Sequence, residues 1–290
     1  MRAPDPDDVR SRVLITAEAL ARRRAAGEAL VIVAIRSDDS TAPRPFETSP
    51  RLPGAFDGSL ANDFAAPSDP VLGSRPLPSI APLQDVVRRW GVTPETLVVV
   101  YDHDGNLQAA RAWWVLRWAS LSNVVMLDGG FAAWMRAGLQ VDTMVPPDPK
   151  PSAVILSAGH MPMLDAEGSA ALARRGTLFD SRISPNYVGG PTAPDQAARG
   201  HIPGALNVPA SDNLDADGRF ADVNILRARY RAEHPDSLEP VGIYCGAGVS
   251  AAHTVAALAT LGIQASMYPG SWSAWSSDPG RAVARGPEPG

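Results

Sequence analysis

The sequence predicts an α/β protein made of two similar halves, and three observations carry that expectation. Apolar runs of strand length alternate with helix-length stretches along the whole chain. Ordered blocks of the first half recur in the second, which argues for a duplicated domain. A proline-rich stretch, Met144-Val-Pro-Pro-Asp-Pro-Lys-Pro151, lies between them and reads as an exposed linker. A chain of 290 residues suits two domains of ordinary size. The expected division is 1–143, a linker over 144–160, and 161–290.

In the first half, Leu30–Ile35, Leu97–Tyr101 and Val124–Leu127 are continuous apolar runs, the pattern of parallel strands buried on both faces. Helices are expected over Thr16–Ala26, Ser79–Trp90 and Leu107–Trp118. The second half repeats the arrangement, with strands at Thr177–Asp180, Val241–Tyr244 and Ala265–Tyr268. Its helices are expected near Asp165–Arg175, Val223–Glu233 and Ser250–Leu261. The paired blocks give the duplication its register. Val98-Val-Val-Tyr-Asp102 matches Val241-Gly-Ile-Tyr-Cys245, 143 residues later. Ala109–Leu116 matches Ala251–Leu258 at an offset of 142, and Leu127–Trp134 matches Tyr268–Trp275 at 141. Upstream, Val33–Arg36 pairs with Leu178–Arg182, and Arg51-Leu-Pro-Gly-Ala55 with His201-Ile-Pro-Gly-Ala205. The period is far too long for a solenoid.

Composition removes several functions. Cys245 is the only cysteine, so an intramolecular disulfide scaffold and a Cys-rich zinc or iron–sulfur site are excluded. The five histidines are scattered without a His-Glu-x-x-His pair, which argues against a metal site. A net charge of −5 without a basic run argues against nucleic acid. No apolar stretch is long enough to span a membrane, and the acidic start predicts no secretory leader. A cytoplasmic protein is expected.

In a parallel sheet, ligands gather at the carboxyl ends of the strands. Cys245 stands there, in Tyr244-Cys245-Gly246-Ala247-Gly248-Val249-Ser250-Ala251. Gly246 and Gly248 allow the loop to turn several N–H groups inward as a nest, and the helix that follows adds its N-terminal dipole. Both favour a thiolate over a thiol and so an available nucleophile. A cysteine that merely fills space does not need two glycines beside it.

On these residues the chain resembles the tandem-domain rhodanese family of thiosulfate and 3-mercaptopyruvate sulfurtransferases, in its actinobacterial type. The resemblance rests on Asp180-Ser-Arg182, Gly200-His-Ile-Pro-Gly-Ala-Leu-Asn-Val-Pro209, Cys245–Ala251, Gly270-Ser-Trp272 with Trp275, and Leu127-Asp-Gly-Gly130 with Trp134. It implies two rhodanese-like domains, a catalytic second domain and a degenerate first one, because Asp102 stands where Cys245 does. It further implies double displacement. Sulfane sulfur passes from a small donor to Cys245, and from that persulfide to cyanide, a thiol or a thioredoxin-like protein, with no metal or organic cofactor.

The loop departs from its relatives in ways that bear on the donor. Gly246 follows the uncharged loop of mercaptopyruvate members rather than the basic loop of thiosulfate members, so mercaptopyruvate is the expected donor. Ala247 replaces a serine of that loop, and Asn186 stands where an arginine usually holds the donor's anionic group. A further arginine is missing near Asp195 and Gln196. The active loop is therefore expected to comprise Gly246, Ala247, Gly248, Val249 and Ser250, with Asn186 and Arg182 beside it. Arg182 reads first as a structural arginine behind the loop. Ser250 is expected to donate to Cys245, to cap the helix, or both, and His201 to serve a turn. Two weaker readings stand beside the enzyme: a persulfide carrier fed by a partner protein, and a rhodanese-like binding scaffold without turnover. A Cys-x5-Arg phosphatase would need arginine where the chain has Ala251.

Overall fold

Continuous apolar runs leave no polar face for solvent, so their strands must lie side by side under helices on both sides. The computed structural model describes residues 6–38, 41–43, 45–190, 199–233 and 240–290, and all of its named strands pair in parallel. The first half contains α1 (Pro6–Ser11), β1 (Leu14–Ile15), α2 (Ala17–Ala25), β2 (Leu30–Arg36), β3 (Phe56–Ser59) and α3 (Ile80–Arg89). It continues with β4 (Leu97–Tyr101), α4 (Leu107–Trp118), β5 (Val124–Leu127) and α5 (Gly130–Arg136). Its five strands run in the order β1-β5-β4-β2-β3. The second half contains α6 (Ala166–Arg175), β6 (Thr177–Asp180), α7 (Ser184–Val188), β7 (Leu206–Asn207) and α8 (Val223–Glu233). After these come β8 (Val241–Tyr244), α9 (Val249–Thr260), β9 (Ser266–Met267) and α10 (Ser271–Ser277), with the strand order β7-β6-β8-β9.

The expected strands at 97–101, 124–127, 177–180 and 241–244 keep their limits, and so do the helices over 107–118 and 223–233. Three expected helices begin one residue late because their first residue, Thr16, Ser79 or Asp165, is the N-cap. Thr16 Oγ1 accepts the N–H of Ala19 at 3.2 Å, and Asp165 Oδ1 that of Gly168 at 2.7 Å. The short β1, β3 and β7 escape the sequence reading; β1 and β7 have two residues each, too few for a period to show.

Duplication extends to single hydrogen bonds. Tyr101 at the end of β4 takes the N–H of Leu52 on its hydroxyl at 2.9 Å, and Tyr244 at the end of β8 takes that of Ile202 at 3.1 Å. Trp134 Nε1 donates to the Gln140 carbonyl and Trp275 Nε1 to that of Ala282. Helices α4 and α9 are buried almost all round, Ala109, Ala112, Ala252 and Ala256 being fully enclosed, which is why neither shows a clean amphipathic stripe.

The chain forms two compact units, neither of them continuous in sequence. The first comprises Met1–Ala66, Leu77–Met161 and Leu214–Phe220; the second comprises Pro67–Pro76, Pro162–Asn213 and Ala221–Gly290. Each unit therefore takes a short segment from the other half of the sequence. Nor is the proline-rich stretch a free tether along its whole length. Ser152 N–H donates to the Arg88 carbonyl, Leu156 N–H to Gln84 Oε1, and His160 N–H to the Trp118 carbonyl, all within the first unit. No helix of the described residues is long and apolar enough to cross a membrane.

Candidate active site

In the second unit, β8 delivers Cys245 at its carboxyl end and α9 begins four residues later. The side chain is 1% exposed, and the N–H of Gly248 points at Sγ from 3.1 Å. Gly248 caps α9 in the left-handed conformation, φ 77°, which a residue with Cβ adopts at a cost. A Cβ on Gly246 would meet only open space, so this glycine keeps the loop's approach clear.

The loop is held from below by the start of α10. Trp272 N–H donates to the Cys245 carbonyl at 2.8 Å and Ser273 N–H to that of Gly246 at 3.0 Å. Ser271 Oγ accepts the Cys245 N–H at 3.3 Å and donates to the Tyr268 carbonyl at 2.9 Å. Ser271 is fully buried with φ 52°, a strained conformation for a residue with a side chain. Its counterpart Gly130 has φ 55°, and a Cβ there would come within 2.6 Å of the Asp102 carbonyl oxygen. Sequence reasoning found the Gly270-Ser-Trp272 block as a repeat but missed that it braces the cysteine.

Arg182 is buried among its own hydrogen-bond partners. Its guanidinium grips Asp180 through Nε and Nη2, at 3.0 and 2.5 Å, and donates to the Gly200 carbonyl at 2.6 Å. It lies over the Trp272 ring at 4.5 Å and the Tyr244 ring at 5.8 Å, so it ties the loop's brace to the end of β8. Burial works against its charge, but the Asp180 carboxylate outweighs burial and raises its pKa, with Tyr244 and Cys245 adding to the attraction.

Ser250 lies within the first turn of α9, half-buried. The expected cap falls to Gly248 instead, because the left-handed turn starts the helix two residues earlier. Neither a cap bond nor a bond to Cys245 is made by its hydroxyl among the described residues. Asn186 sits half-buried on α7; its carbonyl accepts the Gly200 N–H, and no hydrogen bond joins it to the cysteine loop among the described residues. Ala247 is half-buried and Val249 buried in the loop itself. Arg199 is exposed, and Asp195 and Gln196 lie outside the described residues. His201 is buried in its turn, stacked on Tyr187 at 3.7 Å and bonded to the Tyr187 and Pro289 carbonyls. Trp113, Trp114, Trp118 and Trp134 are core residues. A buried polar group unmarked by any motif lies around α9: Asn213 takes the Tyr230 hydroxyl at 2.7 Å, and Ser181 donates to Thr254 at 2.8 Å.

The first unit shows what such a loop can hold. Asp102, fully buried at the end of β4, receives four backbone N–H groups. Those of Asp104 and Asn106 reach Oδ1 at 2.9 and 2.8 Å; those of Gln108 and Ala109 reach Oδ2 at 2.6 and 2.9 Å. Burial pushes its pKa up to about 6, and the N–H groups act in the opposite direction. The cradle is thus occupied by the chain's own carboxylate.

The family model for the rhodanese-like domain matches residues 16–137 and 165–278. The chain is 42% identical over 282 residues to the protein named "Putative thiosulfate sulfurtransferase SseB" of Mycobacterium tuberculosis, covering 96% of this chain and 98% of that one. It is 36% identical over 290 residues to the "Probable 3-mercaptopyruvate sulfurtransferase" of Pseudomonas aeruginosa, covering 95% and 99%. Among solved structures, that of YnjE superposes with a TM-score of 0.81 at 25% identity, covering 95% of this chain and 69% of the other.

Proposed function

The chain belongs to the rhodanese family, and from that premise we propose that it is a sulfurtransferase working through a Cys245 persulfide, with 3-mercaptopyruvate as the preferred donor. The observation that carries the reading is the placement of the only cysteine at the end of β8, with the Gly248 N–H on its sulfur and the amino end of α9 behind it.

The Cys245 thiolate attacks the donor's sulfur. A sulfur–sulfur bond forms and the donor's carbon–sulfur bond breaks, its electron pair leaving on carbon as the pyruvate enolate. That enolate takes the proton the donor thiol carried. In the second step the lone pair of an acceptor (cyanide, a thiol or a thioredoxin-like protein) bonds to the outer sulfur. The pair of the sulfur–sulfur bond then returns to Cys245. Inward N–H groups stabilise negative charge on sulfur in both steps. Asp102 in the duplicate loop supports this, since the equivalent turn there takes an anion on four N–H donors.

The uncharged loop Gly246-Ala247-Gly248-Val249-Ser250 supports mercaptopyruvate over the dianion thiosulfate. Arg182 is a positioning residue in this reading, and Asn186 marks a weakened anion contact. A cytoplasmic setting, where a lone thiol stays reduced, belongs to the same reading. The partners are then a small sulfur donor and a thiophilic acceptor, without nucleic acid or membrane.

Intact-mass measurement after incubation with 3-mercaptopyruvate or thiosulfate tests the reading. The wild type should gain the mass of one sulfur atom and Cys245→Ala none. No gain from either donor sinks the enzyme and leaves the binding scaffold; a gain only from a persulfidated protein leaves the carrier. A steady-state comparison of the two donors tests the preference.

A further inference from the structure

We propose that the first unit carries a second ligand site, for a small organic acid with an apolar body, at the end of its sheet opposite the Asp102 loop. A cavity of about 440 Å³ opens where β4 and β5 begin. That volume is of the size that receives small molecules. Its apolar part is Leu14, Ile15, Leu97, Val124 and Val125. Its polar part includes three arginines, Arg12, Arg23 and Arg117, and among the described residues no carboxylate lines it. The composition is one-sided in a protein whose net charge is −5.

Arg117 is the informative member. It stands half-buried in the last turn of α4, over the Trp113 ring at 5.4 Å, with Nη1 donating to the Ser122 carbonyl at 3.0 Å. Burial lowers its pKa, and no carboxylate acts against that. Elsewhere in this unit Arg36 and Arg51 are each about 3 Å from Asp57, and the buried Arg111 donates to the Phe64 carbonyl. A desolvated cation without an anion is costly to keep, and an anionic ligand removes the cost. Arg23 approaches from α2, on the same face as Thr16 and Ala19, and pairs with Glu28 at 3.5 Å at a half-exposed position. Apolar strand residues beside Arg23 and Arg117 suit a carboxylate or sulfonate on a hydrocarbon body better than inorganic phosphate.

Calorimetric titration of the full chain with 4-phenylbutanoate, and with the neutral 4-phenylbutanamide, tests the site. The acid is expected to bind at least tenfold more tightly than the amide, and to weaken at least tenfold in Arg117→Gln. Should Arg117→Gln fail to fold, as circular dichroism would show, Arg23→Gln serves in its place with a smaller but measurable loss. Excess thiosulfate should not displace the acid, and sulfur transfer should be unchanged in both variants. Equal binding of acid and amide, unchanged affinity in the variants, or displacement by thiosulfate overturns the proposal. None of these outcomes depends on whether Cys245 turns over.

Discussion

At the scale of the residue, two positions 143 residues apart answer the same geometric problem differently. Asp102 and Cys245 each follow an inner strand of their sheet, Asp102 accepting four backbone N–H groups and Cys245 that of Gly248. The Asp102 carboxylate satisfies its four donors. Removing the carboxylate should therefore hurt stability. Asp102→Ala leaves four buried donors unmet and is expected to cost about 2–4 kcal/mol, read from urea unfolding. Its neighbour His103 gives a pH dependence. Burial, with Arg36 nearby, pushes its pKa down to about 4 from 6.5. The unfolded chain thus binds a proton that the folded chain refuses between those values, so stability from this group is complete above pH 6.5 and is lost as pH falls toward 4. His103→Gln should flatten that part of the stability curve; an unchanged acid limb would contradict the assignment. In the second unit, Asn186→Arg is expected to lower KM for anionic donors severalfold, and an unchanged KM would place the donor's anion elsewhere.

At the scale of the element, the cysteine loop is only as fixed as the first turn of α10 that bonds to it. The first turn of α10 carries Ser271, Trp272 and Ser273, and each bonds to Cys245 or Gly246. That turn is itself gripped by the segment Pro67–Pro76. Ser74 N–H donates to Ser273 Oγ at 2.9 Å, and Gly73, φ 97°, packs so closely that a Cβ would sit 2.6 Å from the Gly270 carbonyl oxygen. Gly73→Val is expected to shift α10 and lower kcat for sulfur transfer about tenfold or more, a loss that misplacement of a reacting group readily produces. Retained thermal stability with normal kcat would show that the segment is dispensable.

For the whole molecule, duplication makes a sharp test. Moving the cysteine into the first unit should not create a second active site. From Asp102 to the start of α4 is one residue longer than from Cys245 to the start of α9, and Asn106 rather than glycine takes the left-handed cap, φ 66°. Leu214 packs so tightly on this loop that a Cβ on Gly105 would lie 2.8 Å from it. The double variant Cys245→Ala/Asp102→Cys is expected to take up no sulfur from mercaptopyruvate by intact mass. Uptake would mean that the loop's length and cap do not matter.

The amino-acid pattern by itself determined the α/β class, the duplication and the place of Cys245. These follow from local facts: apolar runs such as Val98–Val100 that tolerate no solvent, glycines where the chain turns, and a repeat offset near 142 residues. Caps shifted helix limits by a residue, as at Thr16 and Asp165, without changing the order of elements. Tertiary structure alone decided the exchange of segments 67–76 and 214–220 and the burial of Arg182 against Asp180. It also decided the strain at Ser271 and the half-burial of Arg117 over the Trp113 ring. Each of these is a relation between residues far apart in the chain. Sequence spacing sets which face of a strand or helix a side chain occupies, but only packing sets which distant group meets it there.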